Sequence, residues 1–481
     1  MNKKMIFATL GQLTLSEAAL MILPLIVALI YGEIKVAASF LVAIGIALIV
    51  GVALYTIFKT ENKVIYAKEG FVIVAFGWLI MSLIGALPFV LSGEIPSYID
   101  AFFETVSGFT TTGASVVRDV EALSRGGLFW RSFTHWVGGM GVLVFIMAIL
   151  PSISDRSIHI MRAEMPGPIV GKIVPRAKET ARILYIIYFA FTVLETLLLL
   201  AGGMSLFDSL VHTFGTVGTG GFGIKADSIA SYSPYLQWVI TAFMFICGIN
   251  FNLFYLILMR KFKSAIKSSE LWAYVGIAVA ATLVITVNIR PLYENLGDTI
   301  RASSFQVSSI ITSTGFSTAN YNAWPTLSKT VLIVLMFIGA CAGSTGGGFK
   351  VARVVMLIKM VKQELRRIIH PRSVTAVKFE GKTVDKTTLS SVSSYLAIYL
   401  VFFIAIVLLI SFEPFGFETN FTATLSCFNN IGAFFSHCDS NIGFADYSNL
   451  SKIILSFAML FGRLEIYPLL IALTPSTWTK K

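Results

Sequence analysis

Charged side chains are scarce in this sequence. Only 13% of its 481 residues are Asp, Glu, Lys or Arg, whereas 56% are hydrophobic. Because so few charges could not cover the core of a soluble protein, the composition excludes that class and predicts a polytopic membrane protein. The formal net charge is +11, but the basic residues lie in short loops between apolar spans. This placement favours a positive-inside membrane topology over nucleic-acid binding.

Cysteine and histidine are also scarce, and neither has the spacing of metal ligands or of a disulfide framework. We therefore expect these side chains to serve packing or solvation. The sequence offers no nucleophile–base pair, so we predict that the protein is not an enzyme and has no catalytic residues. The residues concerned are Cys247, Cys341, Cys427, Cys438, His135, His159, His212, His370 and His437.

Ten apolar stretches are long enough to cross a bilayer, which takes about 20 residues each. Because ten is an even number, both termini lie on one side, and the lysines at each end favour the cytoplasm. Basic predicted inner loops alternate with more acidic outer loops, which supports this orientation. The first stretch lacks a cleavage site, which indicates a retained span. The stretches lie near 8–31, 36–58, 68–92, 128–150, 180–202, 233–259, 270–290, 328–358, 390–411 and 448–473.

Four shorter apolar stretches occur in the predicted outer loops, near 97–110, 204–217, 297–312 and 417–429. Their length is typical of re-entrant segments, whose non-helical ends must line a cavity or be buried in protein. We predict an all-α polytopic membrane protein with four pseudo-symmetric repeats of helix, pore helix, filter loop and helix around one pore. Two extra transmembrane helices precede the repeats. The predicted boundaries are 1–62 for the leading helices and 63–165, 166–267, 268–386 and 387–481 for the repeats.

Each re-entrant stretch ends in a polar, glycine-containing loop: FTTTGA at 109–114, TVGTGGF at 216–222, TSTGF at 312–316 and NNIGA at 429–433. Backbone carbonyls can replace water around a dehydrated cation, and glycine permits the unusual dihedrals and close approach that this requires. The pore helices also point partly negative C-terminal ends at the pore. For any single loop, ordinary helix packing by glycine and threonine is an equal explanation. The agreement of four loops favours a cation filter.

We place the repeat glycines of this filter at positions 113, 220, 315 and 432. The predicted ion-binding residues are Thr111, Thr112, Gly113, Gly218, Thr219, Gly220, Ser313, Thr314, Gly315, Asn430, Ile431 and Gly432.

At these residues the chain resembles the bacterial TrkH/TrkG/KtrB family of potassium-translocating subunits. The motifs that carry the resemblance are ETVSGFTTTGAS at 104–115, FWRS at 129–132, WVGGMG at 136–141, SIITSTGFST at 309–318, GSTGGGFK at 343–350 and GRLEIYP at 462–468. The two leading spans look like the TrkH branch. The fourth loop departs from the family pattern, since it reads NNIGAFF where the family often has Gly-Pro-Gly.

The resemblance implies potassium uptake across the bacterial plasma membrane. It also implies a homodimer and a cytosolic nucleotide-binding regulatory partner of the TrkA/KtrA type. Potassium would be the substrate, and no covalently bound cofactor is implied. Any nucleotide would bind the partner, because little sequence remains here outside the spans.

A glycine-rich run at 339–348, the glycine loop, interrupts the second span of repeat three. Each glycine inside a helix costs about 1 kcal/mol relative to alanine, and backbone groups at this depth need polar partners. We interpret the run as a flexible loop below the filter that blocks the pore, and the resemblance implies that such a loop is the intramembrane gate. A phosphate-binding loop is disfavoured because no strand precedes it. The predicted gate residues are Gly343, Ser344, Thr345, Gly346, Gly347, Gly348, Lys350 and Arg463.

Arg463 lies inside the last span, where a charge is costly unless it is paired or faces water. We predict that it faces the pore and bonds to carbonyls of the glycine loop, which imposes a positive barrier. A competing interpretation is an arginine that snorkels to the inner interface. Lys350 either adds to this barrier or is an ordinary helix-end lysine. Glu465, two residues along, is not an obvious partner for Arg463 on a helix.

Two acidic residues and one basic segment each allow more than one role. Glu104 and Asp208 attract cations to the entrance, or Glu104 pins its pore helix instead. The basic segment 359–386 binds anionic lipid or docks a cytosolic partner. A different function, secondary transport with a broken-helix substrate site, would need two inverted repeats, whereas the sequence shows four in one orientation.

Overall fold

The computed structural model describes residues 2–60, 66–139, 141, 177–372, 376–435 and 443–479. Within these residues, six helices are long and apolar enough to cross a membrane, and the number is eight if each of two sharply bent helix pairs is counted as one span. The predicted boundaries near 62 and 165, the inner-loop arginines at 156 and 162, His159, His437 and Cys438 lie outside the described residues. The division into five parts therefore stays a prediction.

Three leading helices precede the repeats. Helix α1 (Lys3–Leu20) continues into α2 (Ile22–Ile30), and α3 (Ile34–Ile57) returns across the membrane. Gly11 and Gly51 lie so close to the opposing helix that a Cβ on either would meet its neighbours at 2.8 Å. Small residues at such positions permit close packing between membrane helices.

The first helices of the four repeats are α4 (Ala67–Gly85), which is followed by α5 (Leu87–Ser92), then α8 (Ala177–Ala201), α13 (Ser269–Ile289) and α17 (Lys386–Ile410). The four short pore helices are α6 (Tyr98–Phe109), α9 (Leu206–Val217), α14 (Leu296–Ile311) and α18 (Phe417–Phe428). Serine caps begin two of them: Ser97 accepts from the amide of Asp100, and Ser205 from that of Asp208. The last nine residues of α6 are all buried, so the pore helices lie inside the protein rather than against lipid.

In repeats two, three and four the second helix is interrupted, and in repeat one the structure describes it from Arg125 to Gly139. Helix α7 is Arg125–Gly139; α10 (Pro234–Cys247) and α11 (Phe251–Leu258) meet at 88°; α15 (Thr326–Ile338) and α16 (Val351–Ile369) flank the glycine loop; α19 (Asn449–Arg463) and α20 (Tyr467–Leu473) meet at 117°. Short helices α12 (Phe262–Ile266) and α21 (Pro475–Trp478) complete the set.

The stretches near 233–259 and 448–473, each predicted as one span, therefore contain two helices with a sharp bend between them. In repeat two, Gly248 ends the first half, and the side chain of Asn250 caps the second by accepting from the amide of Asn252. In repeat four, Glu465 and Ile466 adopt positive φ angles of 57° and 66°, and Pro468 lies in the first turn of α20. Both breaks lie inside long apolar runs, and polar residues mark them, Asn250 in one and Arg463 and Glu465 in the other. A hydropathy average over a whole span does not show where such a run bends.

A small β-hairpin is the one departure from the all-α class within the described residues. Strands β1 (Lys378–Phe379) and β2 (Lys382–Thr383) pair antiparallel beyond the end of α16. The Glu380 carboxylate in its turn accepts from the Ser268 and Ser269 hydroxyls and from the Glu270 amide, at 3.0–3.1 Å. The hairpin thereby caps the start of α13.

Candidate ion pathway

The four filter loops, residues 110–114, 218–222, 312–316 and 429–433, share one backbone conformation. The second residue of each loop has a left-handed φ of 53–56°, and the fourth residue is a glycine with a φ of 78–85°. The residues at the second position are Thr111, Thr219, Ser313 and Asn430. The glycines at the fourth position are Gly113, Gly221, Gly315 and Gly432.

The repeat glycine of loop two is therefore Gly221, and its placement at Gly220 was wrong by one residue. Gly220 occupies the third position, where its amide donates to the Gly215 carbonyl at 2.8 Å. Glycine is still required at 220, because a Cβ there would overlap the ring of His135. Both Gly220 and Gly221 are sterically required, but by different neighbours, and the spacing of the repeats in the sequence does not show which of them is equivalent to Gly113.

The four loops close a ring. Each fourth-position glycine lies so near the next loop that an added Cβ would overlap a carbonyl oxygen there. The pairs are Gly113 with Gly220, Gly221 with Thr314, Gly315 with Ile431, and Gly432 with Thr112. Since the contacts run from loop one to two, three, four and back to one, the loops surround a common axis and the carbonyls of their third residues lie together.

Each loop is held to the end of its pore helix by the same hydrogen bond. The amide of the third residue donates to a helix carbonyl five residues earlier, at 2.8–2.9 Å. The pairs are Thr112 with Ser107, Gly220 with Gly215, Thr314 with Ser309, and Ile431 with Ser426. The partly negative helix ends therefore stand directly behind the loops, which is electrostatically favourable for a cation on the axis.

The unusual fourth loop is anchored by its asparagines. Asn429 accepts from the Tyr399 hydroxyl at 2.8 Å, and Asn430 donates to the Thr112 hydroxyl at 3.0 Å and to the Met459 carbonyl at 2.9 Å. Its backbone matches the other loops, so the change of sequence is accommodated by side-chain bonds behind the ring.

The glycine loop touches the inner side of this ring. The Gly347 amide donates to the Ser313 hydroxyl at 2.5 Å. A Cβ at Gly346 would lie 2.6 Å from the Thr312 carbonyl oxygen, and one at Gly347 would overlap the carbonyl of Asn429. The loop thus packs against the ends of filter loops three and four that adjoin their pore helices.

Two basic side chains hold the glycine loop in this position. Arg463 Nη1 donates to the Thr345 carbonyl at 2.8 Å, and its Nη2 donates to the carbonyls of Gly138 and Gly139 at 2.5 and 2.7 Å. Lys350 Nζ donates to the Gly346 carbonyl. The predicted bond from Arg463 to a loop carbonyl is present, and the same guanidinium also links the loop to Gly138 and Gly139 of α7.

Several residues around the loop were not singled out from the sequence. Glu465 pairs with Arg353 at 2.5 Å. The Glu270 carboxylate accepts from the Ala342 amide at 2.6 Å, and the Phe251 amide donates to the Gly343 carbonyl at 3.0 Å. These partners are far apart in the chain, so no local motif indicated them; the acidic residues at predicted membrane depth were the only available signal.

Glu104 lies behind the filter rather than at the entrance. It is 1% exposed and pairs with Arg131 at 2.5 Å, and it also accepts from the Val116 amide at 2.9 Å. The structure therefore favours the pinning role for this residue. Asp208 lies at the outer start of α9, 3.7 Å from Arg125.

The buried histidines outside the filter pack as expected. His135 stacks on Phe222 with ring centroids 4.2 Å apart, and His212 Nδ1 lies 2.7 Å from the Asp208 carbonyl oxygen. No group of three or more His, Cys, Asp or Glu side chains that could hold a metal ion occurs in the part of the chain that the structure describes.

The sequence profile of the TrkH family, described as a cation transport protein, matches residues 37–286 and 277–480. The chain belongs to this family. It is 35% identical over 485 residues to the Trk system potassium uptake protein TrkH of Salmonella typhimurium, covering 99% of this chain and 100% of that protein. It is 34% identical to TrkG of Escherichia coli, with 95% of each chain covered.

A solved structure gives the same result. The crystal structure of the potassium transporter TrkH from Vibrio parahaemolyticus matches with a TM-score of 0.89 and 31% identity over 100% of both chains. Membership in the family confirms the resemblance seen in the motifs. The all-α, multi-span fold class with four pore-helix repeats is confirmed as well.

Proposed function

We propose that this chain is the potassium-translocating subunit of a bacterial potassium uptake system. The observation that carries the proposal is the closed ring of four loops, in which backbone carbonyls crowd around one axis at the ends of four pore helices. Such a ring can replace the water shell of a potassium ion without placing a fixed charge on the path. The names of its TrkH and TrkG relatives support potassium as the ion.

The ion-binding oxygens come from the second to fourth residues of each loop. Loop two contributes Thr219, Gly220 and Gly221 at these positions, and the predicted residue Gly218 is the first residue of the loop, at the end of its pore helix. Potassium is substrate here, not a resident cofactor, and the chain carries out transport without catalysis. It lies in the bacterial inner membrane with both termini in the cytoplasm.

The glycine loop is the gate. It lies under filter loops three and four, where Arg463 places a positive charge beside it and the Lys350 side chain donates to the Gly346 carbonyl. A positive charge next to the path repels a permeating cation, so the closed state combines a steric and an electrostatic barrier. Opening requires the loop to leave Ser313 and Thr345 to separate from Arg463.

Control of the gate comes from the cytoplasm. The Glu380 carboxylate of the β-hairpin accepts from the Glu270 amide at the start of α13. The Glu270 side chain in turn accepts from the Ala342 amide of the glycine loop. A force on the hairpin can therefore reach the loop through the first turn of α13. We assign this force to a cytosolic nucleotide-binding partner of the TrkA/KtrA type acting on a homodimer of this chain.

Growth rescue tests the proposal. The chain is expressed in a bacterium that lacks its own potassium uptake systems, at limiting potassium, with and without the regulatory partner. We expect growth at potassium concentrations where cells with empty vector stop, and stronger rescue with the partner. Absence of rescue in both cases, with the protein present in the membrane, would contradict the function.

A further inference from the structure

One ion pair, between Glu104 and Arg131, lies behind the filter and links filter loops one and two. The Glu104 carboxylate on α6 accepts from Arg131 Nε at 2.5 Å and from the Ser115 hydroxyl at 2.9 Å through one oxygen. Its other oxygen accepts from the Val116 amide at 2.9 Å. Ser115 and Val116 form the outer limb of loop one, directly after the filter.

The arginine extends this contact to loop two. Arg131 Nη1 donates to the Gly223 carbonyl at 2.9 Å, and its guanidinium lies 3.5 Å from the ring centroid of Phe222. Phe222 follows the filter glycine Gly221. One charge pair therefore holds the outer limbs of two adjacent loops at once.

The pair is almost fully buried, with Arg131 3% and Glu104 1% exposed. Removing a charge pair from water is expensive, and such a pair is weak evidence for stability by itself. Here its remaining hydrogen-bonding capacity is directed to the backbone and side chains of both limbs. The geometry therefore points to a positioning role at the filter.

The other three contacts between neighbouring loops, on the outer side of the filter, are weaker. The pore-helix position of Glu104 is occupied by His212, Gln306 and Ala423 in repeats two, three and four. The segments that follow loops two and three meet where the Ser317 amide donates to the Ser228 hydroxyl at 3.2 Å. Those that follow loops three and four meet where the Tyr321 hydroxyl donates to the Phe434 carbonyl at 3.3 Å. The segments that follow loops four and one are joined by an ion pair between Arg118 and Asp446, whose side chains are 76% and 32% exposed.

We propose that the buried Glu104–Arg131 pair is a selectivity-determining clasp, which fixes the spacing of filter loops one and two so that the ring fits potassium rather than sodium. This inference rests on the proposed potassium pathway. Selectivity among cations depends on the size and stiffness of the oxygen cage. A clasp that spans two of four loops acts on both properties without touching the ion, so its members are positioning residues.

The test is the ratio of potassium to sodium flux in vesicles containing the purified full chain. Glu104→Gln is expected to lower this ratio roughly tenfold. The free-energy difference behind a tenfold change is smaller than the cost of breaking a buried ion pair. Arg131→Lys is measured in parallel because it keeps the charge but cannot reach Glu104 and Gly223 together with a planar fork. Glu104→Asp, which keeps the carboxylate, is expected to recover part of the ratio.

Asp100→Asn is the matched control. Asp100 lies one turn before Glu104 on the same pore helix and pairs with Lys452 at 2.7 Å, away from the filter limbs. We expect the wild-type flux ratio for this variant. A wild-type ratio in Arg131→Lys, or an equal fall in Asp100→Asn, would overturn the clasp. Failure of the wild-type protein to carry potassium would instead count against the proposed function.

Discussion

Arg463 donates a hydrogen bond of 2.8 Å to the carbonyl oxygen of Thr345. The two residues belong to different repeats, 118 positions apart. Because the same guanidinium also bonds Gly138 and Gly139, it joins α7 of repeat one and α19 of repeat four to the glycine loop of repeat three. This arrangement makes Arg463 the main tether of the proposed gate.

Arg463→Ala is expected to give faster and less regulated potassium flux. A tenfold increase requires a barrier lower by about 1.4 kcal/mol, which is less than the repulsion of about 4 kcal/mol between two unit charges 4 Å apart near a protein surface. Radiotracer uptake into vesicles measures it. The control is Arg290→Ala, since Arg290 also bonds two carbonyls but in an outer loop. Slower flux at normal protein levels would contradict a blocking role.

Glu270→Ala is expected to loosen the gate, because the Ala342 amide loses its acceptor. Hydrogen bonds to charged groups contribute about 1.5–3 kcal/mol, so we expect partner-independent flux to rise by roughly tenfold. Glu270→Gln keeps an acceptor oxygen and should stay close to wild type. Flux is measured with and without the regulatory partner. If both variants retained full dependence on the partner, the route from hairpin to loop would be wrong.

Gly138→Ala is expected to destabilise the protein. A Cβ at this position would overlap the carbonyl of Phe109 at the end of the first pore helix. Overpacking of this kind costs about 1–3 kcal/mol, which thermal unfolding in detergent detects. Gly276→Ala is the control, since Gly276 has open space around it within α13. Equal stability of the two variants would argue against close packing of α7 on the filter.

The spans and the four loops were predictable because each is a local property of the sequence. A run of apolar residues indicates a membrane helix, and four polar, glycine-containing phrases after short apolar runs indicated the filter repeats. The position of Arg463 within an apolar span likewise indicated a partner inside the protein. Each of these patterns depends only on residues that are close together in the chain, so a single sequence is enough to recognise it.

The remaining features depend on contacts between distant segments. The pairing of Arg353 with Glu465 spans 112 residues, and that of Glu270 with Ala342 spans 72. The choice of Gly221 over Gly220 depends on whether Thr314 or His135 fills the neighbouring space. The helix breaks contain polar residues such as Asn250 and Glu465 within apolar runs, but these residues alone do not fix a bend. The long-range pairings leave no local sign, so both features required the structure.

The central claim is that four loops form one potassium-selective ring, and the ratio of potassium to sodium flux through the reconstituted protein tests it most directly. Gly315→Ser places a side chain at a φ of 85° against the Ile431 carbonyl, so it distorts the ring. Gly297→Ala, in open space on the same pore helix, is the control. We predict a potassium preference in the wild type and in Gly297→Ala that falls sharply in Gly315→Ser. An unchanged ratio in Gly315→Ser would contradict the account.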